Sequence, residues 1–476
     1  MFTTPKLQSF KNGIIAICCF TLSQISAAQN TTWLWAVHAG SAESDKPSDI
    51  ATSLSGTNYL VGDFKDTMLV DTFNLSPNVT GTSDSYIAKT DASGNVQWVI
   101  KSFGNGNDKA MCVCVDQLGD IFVVGSINGT IILGSFTLVS VDTSDIYIAR
   151  LDSTGAVLWA FVEGGIGWVE PAGIGTDTLG GVFLTGNYQD SVNLSNVSLV
   201  SGGSYECFIA KYDYTGSIQW AQTTGGLNSQ FIASSRTDHY GNTYITGIFV
   251  TSGDFGITQL SGAPTMNIAF VASCNPLGIF TWATQIGSQN SSQGYGVSYD
   301  GLGNVYAAGM FTASVDFPSD TLFSRGGNDG YLVKFNSQGT LVWANVMGGN
   351  NIDMALNVAT DAQGNSRVVG YFWSFMYFDT TTNWLISGGL ADAFVCDYDV
   401  NGNFIRSKTV RDNLYGDARC LSLDAVGNTY IAGIFEDSCD FDTLQGFETW
   451  GRTDIYLGKI GSDFISSTQN QNQDFG

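Results

Sequence analysis

Short apolar, β-rich runs alternate with small polar turns along this chain, and one stretch shows the unit clearly. Met111 to Val115 is the first run, and Asp116-Gln117-Leu118-Gly119 turns it. Ile121 to Gly125 returns, and a longer connection follows from Ser126 to Ser144. Ile146 to Leu151 is a third run, turned by Asp152-Ser153-Thr154-Gly155, and Ala156 to Phe161 is a fourth, carrying Trp159. Runs of this length bounded by Asp, Ser and Gly predict strands, here called a, b, c and d. In both tight turns an Asp precedes a Gly by three places. The carboxylate can bond the backbone at the turn start, and Gly accepts the positive φ that closes it.

The unit recurs. Trp35, Trp98, Trp159, Trp220, Trp282 and Trp343 follow one another at 61–63 residues, and one further step lands on Arg406. A glycine keeps the same beat after strand b, at Gly62, Gly125, Gly186, Gly247, Gly309, Gly370 and Gly433. An aromatic marks strand c at Tyr86, Tyr147, Phe208, Phe270, Tyr331, Phe394 and Tyr456. A period near 62 is too long for a coiled coil or a short solenoid repeat and suits four strands with their turns, one propeller blade. One tryptophan per unit at one strand position is explained by packing between neighbouring sheets better than by sugar stacking.

Composition agrees with short strands and tight turns: of 476 residues 13% are charged and 57 are glycine. The net charge of −24 makes the chain a polyanion, which repels nucleic acid and anionic lipid. Residues 1–28 read as a signal peptide, with Lys6 and Lys11 before an apolar run from Gly13 to Leu22 and a small-residue cleavage site at Ser26-Ala27-Ala28. The apolar run is well short of the ~20 residues that span a bilayer, and no later segment looks transmembrane. Removing it leaves seven of the nine cysteines. An odd number cannot all pair within one chain, and buried small hydrophobes are expected.

The motifs Asp424 to Gly433, Asp84 to Lys89 and Gly94 to Trp98 resemble those of the bacterial seven-bladed propeller repeat family known as SBBP repeats, over roughly residues 31 to 461. The resemblance implies a fold and an exported protein, and is nearly silent on activity.

The units start and stop out of phase. A d strand, Thr32 to Val37, opens the array, and a c strand, Ile455 to Ile460, ends it. A ring explains this if the first segment completes the last unit, which also removes exposed edges. The expected fold is therefore all-β, a seven-bladed β-propeller of four-stranded antiparallel blades closed by the N-terminal strand. It occupies 29–464 and is followed by a short polar tail at 465–476.

Function in such a scaffold is expected on the longer b–c and d–a connections. The sixth unit departs most, with Trp373, Phe375, Tyr377 and Trp384 in its b–c connection; off-repeat aromatics also stand at Trp168 and Trp450. Exposed rings of this kind stack on sugars or peptide side chains, and alternation would put Trp373, Phe375 and Tyr377 on one face of an extended segment. Asp397, Asp399 and Asn401 match the opening of a calcium loop, although Lys408 stands where a bidentate acid is needed. Calcium is thus the one cofactor the sequence raises. With two histidines left beyond the leader, no Ser/His/Asp or Cys/His arrangement can be built, and no catalytic residue is assigned. The expected function is a secreted or cell-surface, non-catalytic scaffold that binds an extracellular glycan or protein. The alternative is a carboxylate-dependent polysaccharide hydrolase.

Overall fold

The computed structural model describes residues 32–461 apart from 80, 143, 318, 319, 380 and 381. The leader and tail expected at 1–28 and 465–476 lie outside the described residues. Within them every regular element is a strand and every sheet is antiparallel. No helix is long and apolar enough to cross a membrane.

Among the described residues a four-stranded antiparallel unit recurs seven times. In the second, Lys109–Val115, Ile121–Ile127, Asp145–Leu151 and Val157–Glu163 pair in the order a–b–c–d. These bounds match the sequence expectation to within two residues. The long b–c stretch was expected to be a connection, but it contains a hairpin of its own, Thr130–Leu133 with Phe136–Val139. Its inward residues, Ile131, Leu133 and Leu138, are buried. In the seventh unit Trp33–Gly40 pairs with Asp454–Ile460, so the d strand comes from the start of the described chain. The a strands touch in sequence: Lys46–Thr52, Lys109–Val115, Val169–Thr176, Gln230–Thr237, Ser292–Tyr299, Asp353–Thr360 and Gly416–Leu423, the last also meeting the first.

Two of the sequence ladders have one cause. Every a strand carries a β-bulge, at Ser48, Met111, Ala172, Ala233, Tyr295, Leu356 and Arg419. The bulge drives a backbone carbonyl at the ladder glycine of strand b. A Cβ on Gly125 would stand 1.9 Å from the Lys109 oxygen, and one on Gly433 would stand 1.9 Å from the Asp417 oxygen. In six of the seven units the strand-c aromatic packs against the same position. Where it is tyrosine, its hydroxyl can donate to the bulge carbonyl, as Tyr331 does to Gln293 at 3.1 Å and Tyr456 to Asp417 at 3.0 Å.

The tryptophans join neighbouring units. Each indole N–H of Trp35, Trp98, Trp159, Trp220, Trp282 and Trp343 donates to the second residue of the next unit's c–d turn, at 3.1–3.4 Å. Beside four of the six a strand-c cation lies over a strand-b aromatic: Lys89 over Tyr59, Lys211 over Phe183, Lys334 over Tyr306 and Lys459 over Tyr430. In the sixth unit this set is inverted to Arg367, Asp397 and Arg406. The next unit has no c–d turn, because its c and d strands come from opposite ends of the described chain. Among the described residues a tryptophan at 406 would have no such turn carbonyl to reach.

Turn aspartates behave as expected: Asp116 accepts from Leu118 and Asp120 amides, and Asp213 from Thr215 and Ser217. Other acids are buried where the longer connections meet the strands. Asp145, Asp329, Asp392 and Asp454 each accept the amide of the residue four places back, closing the b–c connection. Burial raises Asp45, Asp108, Asp353 and Asp412 to about 7 and Asp329 to about 6. The unfolded chain titrates these groups near 3.8. Between the two values the folded state holds more protons, so stability falls as pH rises through that window. The Thr154 and Thr215 hydroxyls and turn amides hold Asp152 and Asp213 below the usual range, so loss on the acid side starts only below it. Thermal unfolding at fixed ionic strength should accordingly give a higher Tm at pH 5 than at pH 8. All seven cysteines of this region are free, six of them buried.

Candidate functional site

In the sixth unit the b–c connection folds into a hairpin, Phe375–Tyr377 with Trp384–Ile386. Strand alternation splits its residues between two faces. Met376 and Phe378 turn inward and are buried, Phe378 stacking on Phe404 at 5.1 Å. Phe375, Tyr377 and Trp384 share the outer face. Phe375 is 41% and Trp384 49% exposed, with ring centroids 6.1 Å apart. Arg325 anchors the hairpin by donating to the Tyr377 carbonyl at 3.0 Å.

The other expected aromatics are not part of this surface. Ser374 sits in the left-handed region, φ 65°, so the chain kinks between Trp373 and Phe375. Trp373 therefore falls outside the hairpin, half-buried, and its amide donates to Asp353 at 3.2 Å. Trp168 packs with Tyr205 at 5.5 Å and Phe231 at 6.3 Å. Trp450 lies 4.0 Å from the His38 ring, and His38 shares a 2.6 Å hydrogen bond with Asp454. Neither contacts the hairpin among the described residues.

The calcium-loop residues are already occupied. Arg367 makes a two-pronged pair with Asp397 at 2.6 and 2.8 Å, and Arg406 adds a third contact at 2.7 Å. Burial would raise the Asp397 carboxyl, but the two guanidinium groups outweigh it and hold it below the usual range. Asp399 accepts the amides of Asn401 and Asn403 within its turn, and also the Asn403 side chain. Asn401 supplies its backbone amide to that turn.

A second feature has no motif in the sequence. A cavity of about 730 Å³ runs between the a strands, with residues from all seven in its wall, among them Thr52, Val113, Ile174, Arg236, Val358 and Leu421. It opens at the a–b turns, the end opposite the hairpin. At the other end of the a strands, burial raises the Asp63 and Glu170 carboxyls, and the Lys109 charge opposes that rise in both. Tyr415 there donates to Asp417 at 3.2 Å, beside the Arg419–Asp417 pair at 2.8 Å.

No family model matches the chain. The uncharacterized WD repeat-containing protein L264 of Acanthamoeba polyphaga mimivirus is 23% identical over 363 residues. That alignment spans 61% of this chain but only 26% of the relative, about a quarter of its length. Among solved structures, Sqt1 from Chaetomium thermophilum is 11% identical with a TM-score of 0.43, covering 90% of this chain and 98% of that one. A puromycin hydrolase is 11% identical with a TM-score of 0.38, covering 83% and 59%. A repeat protein of the β-propeller kind fits the sheets described above and this WD-repeat relative. Such a scaffold suits a non-catalytic binding role in general terms.

Proposed function

We propose that this chain is an exported, closed seven-bladed β-propeller of the SBBP-repeat type that binds an extracellular glycan without transforming it. The seven recurring units, the pairing of Trp33–Gly40 with Asp454–Ile460 and the contact between first and last a strands support the ring. The observation that carries the binding role is the outer face of the sixth hairpin. It holds two large aromatic rings out in solvent, side by side, on strands whose other face is locked into the core. Such a rigid pair stacks on successive sugar rings, or on the side chains of a protein ligand, at low conformational cost.

The test is a glycan array followed by titration of any hit. Phe375→Ala and Trp384→Ala should each weaken binding at least tenfold with an unchanged Tm, because exposed substitutions usually move stability by no more than ~0.5 kcal/mol. Affinity equal to that of the parent would refute the reading. Product analysis of the same mixtures addresses the hydrolase alternative, for which Asp63 and Glu170 are the candidate carboxyls. Cleavage abolished by Glu170→Gln would establish that alternative.

A further inference from the structure

The cavity between the a strands is built differently from the rest of the molecule. Its volume of about 730 Å³ is that of a small-molecule site, which typically spans ~300–1,000 Å³. Of the residues in its wall, Arg236 is the one arginine or lysine. It stands on the a strand of the fourth unit, and its Nη2 lies 3.7 Å from Asp49 on the a strand of the first. Two units separate these strands on one side of the array and three on the other, so the side chain reaches across the interior. Its charge also acts on Cys114, Tyr299 and Cys420 of the second, fifth and seventh units.

Among the described residues one hydrogen bond holds the guanidinium, from Nη1 to the Ser235 carbonyl at 3.0 Å. The Asp49 contact is longer than a hydrogen bond, and the Arg236 side chain remains 31% exposed inside the cavity. Its planar fork fits a carboxylate. The acids at the rim do not compete for it. Asp116 accepts turn amides and the Tyr214 hydroxyl, Asp177 accepts turn amides and pairs with Lys211, and Asp300 accepts turn amides and the Tyr306 hydroxyl. A single cation with a carboxylate already beside it, in a chain of net charge −24, favours a singly charged anion over a phosphate.

Beside these acids the opening carries two exposed leucines. Leu54 and Leu118, in the first and second a–b turns, belong to the wall and are 74% and 79% exposed. The turn itself needs no apolar residue there, since Gln363 stands in the sixth unit where Leu118 stands in the second. Exposed apolar side chains at an opening mark a surface that excludes water against something.

We propose that the cavity binds an amphiphilic monocarboxylate, with its carboxylate on Arg236 and its apolar body against Leu54, Leu118 and the apolar side chains of the wall such as Val113, Ile174 and Val358. A fatty acid and a peptide C-terminus share this chemistry. The site is independent of the aromatic hairpin and lies at the opposite end of the array, so either can fail without the other.

Isothermal titration of the purified protein with decanoate and with N-acetyl-Leu-Phe is the test, with decanol and the dipeptide amide as neutral controls. Saturable binding of at least one acid is expected, at least tenfold tighter than its neutral control. Preference for decanoate identifies an acyl chain, and preference for the dipeptide a peptide end. Arg236→Gln should weaken binding at least tenfold, and Arg236→Lys should restore part of it. Leu54→Asp with Leu118→Asp changes only exposed side chains of the wall and should also weaken binding, which decides the matter if Arg236→Gln does not fold. Absence of saturable binding by both acids, equal binding of the neutral controls, or full affinity in the variants would overturn the proposal.

Discussion

Gly309→Ala should prevent stable folding, although it adds a single methyl group. The new Cβ would lie 1.9 Å from the Gln293 carbonyl oxygen and 2.5 Å from the Tyr331 hydroxyl. The tyrosine could swing aside. The carbonyl cannot, because the Tyr295 bulge fixes it and Gly309 is paired on both sides, with Gly294 and with Tyr331. Relief would require undoing the bulge, which shifts the register of an a strand against its neighbours. The cost should exceed about 4 kcal/mol, beyond the range of ordinary substitutions. Gly256→Ala is the control. That glycine has a positive φ, 69°, which Gly309 does not, but a Cβ there meets nothing within 4 Å. It should cost only about 1 kcal/mol. Urea unfolding followed by circular dichroism separates the two, and similar midpoints for both variants would show that the bulge carbonyl is not the constraint.

Asp397→Asn should have the second largest effect. Asp397 and Arg367 are almost completely buried, and Arg406 is mostly so. Removing the one negative charge strands two guanidinium groups where water cannot replace it. Breaking a buried pair from one side costs about 3–5 kcal/mol, much of it the penalty of the charges left behind. The triple exchange Arg367→Tyr, Asp397→Lys, Arg406→Trp restores the aromatic–cation–tryptophan set of the other units. It should recover most of the loss but not all, because the new indole has no c–d turn to donate to. Denaturant midpoints of parent, single and triple variants are the measurement. Full stability in Asp397→Asn would mean the three charges are not coupled.

These two sites also show what the residues alone could disclose. The strand positions were legible because burial imposes a period, and the Gly309 and Tyr331 ladders stood out for that reason. Their shared cause did not, since a bulge adds a residue without any characteristic residue type: Ser48, Met111 and Arg419 have nothing in common. Arg406 was visible as a missing tryptophan. Arg367 and Asp397 were not, because the inversion appears only when three strands are compared at one level. Asp397 instead matched a calcium motif by its spacing within a turn. The expected aromatic face lost Trp373 because a non-glycine residue, Ser374, adopts a positive φ, which spacing does not report. Arg236 and Asp49 meet across more than 180 residues of sequence with no motif at either end.

The bulges have a further consequence, for how such a molecule can change. Six of the seven bulge residues are more exposed than both their neighbours on the strand, Leu356 being half-buried like Asn357 beside it. Ala233, Tyr295 and Arg419 therefore occupy equivalent places in units that differ little elsewhere. Packing dictates the residues on either side and leaves this one unspecified. The array thus carries seven variable letters in an otherwise fixed text, one per unit. A new inner surface can be written by substitutions that the core does not feel, so the interior can diversify faster than the fold that encloses it.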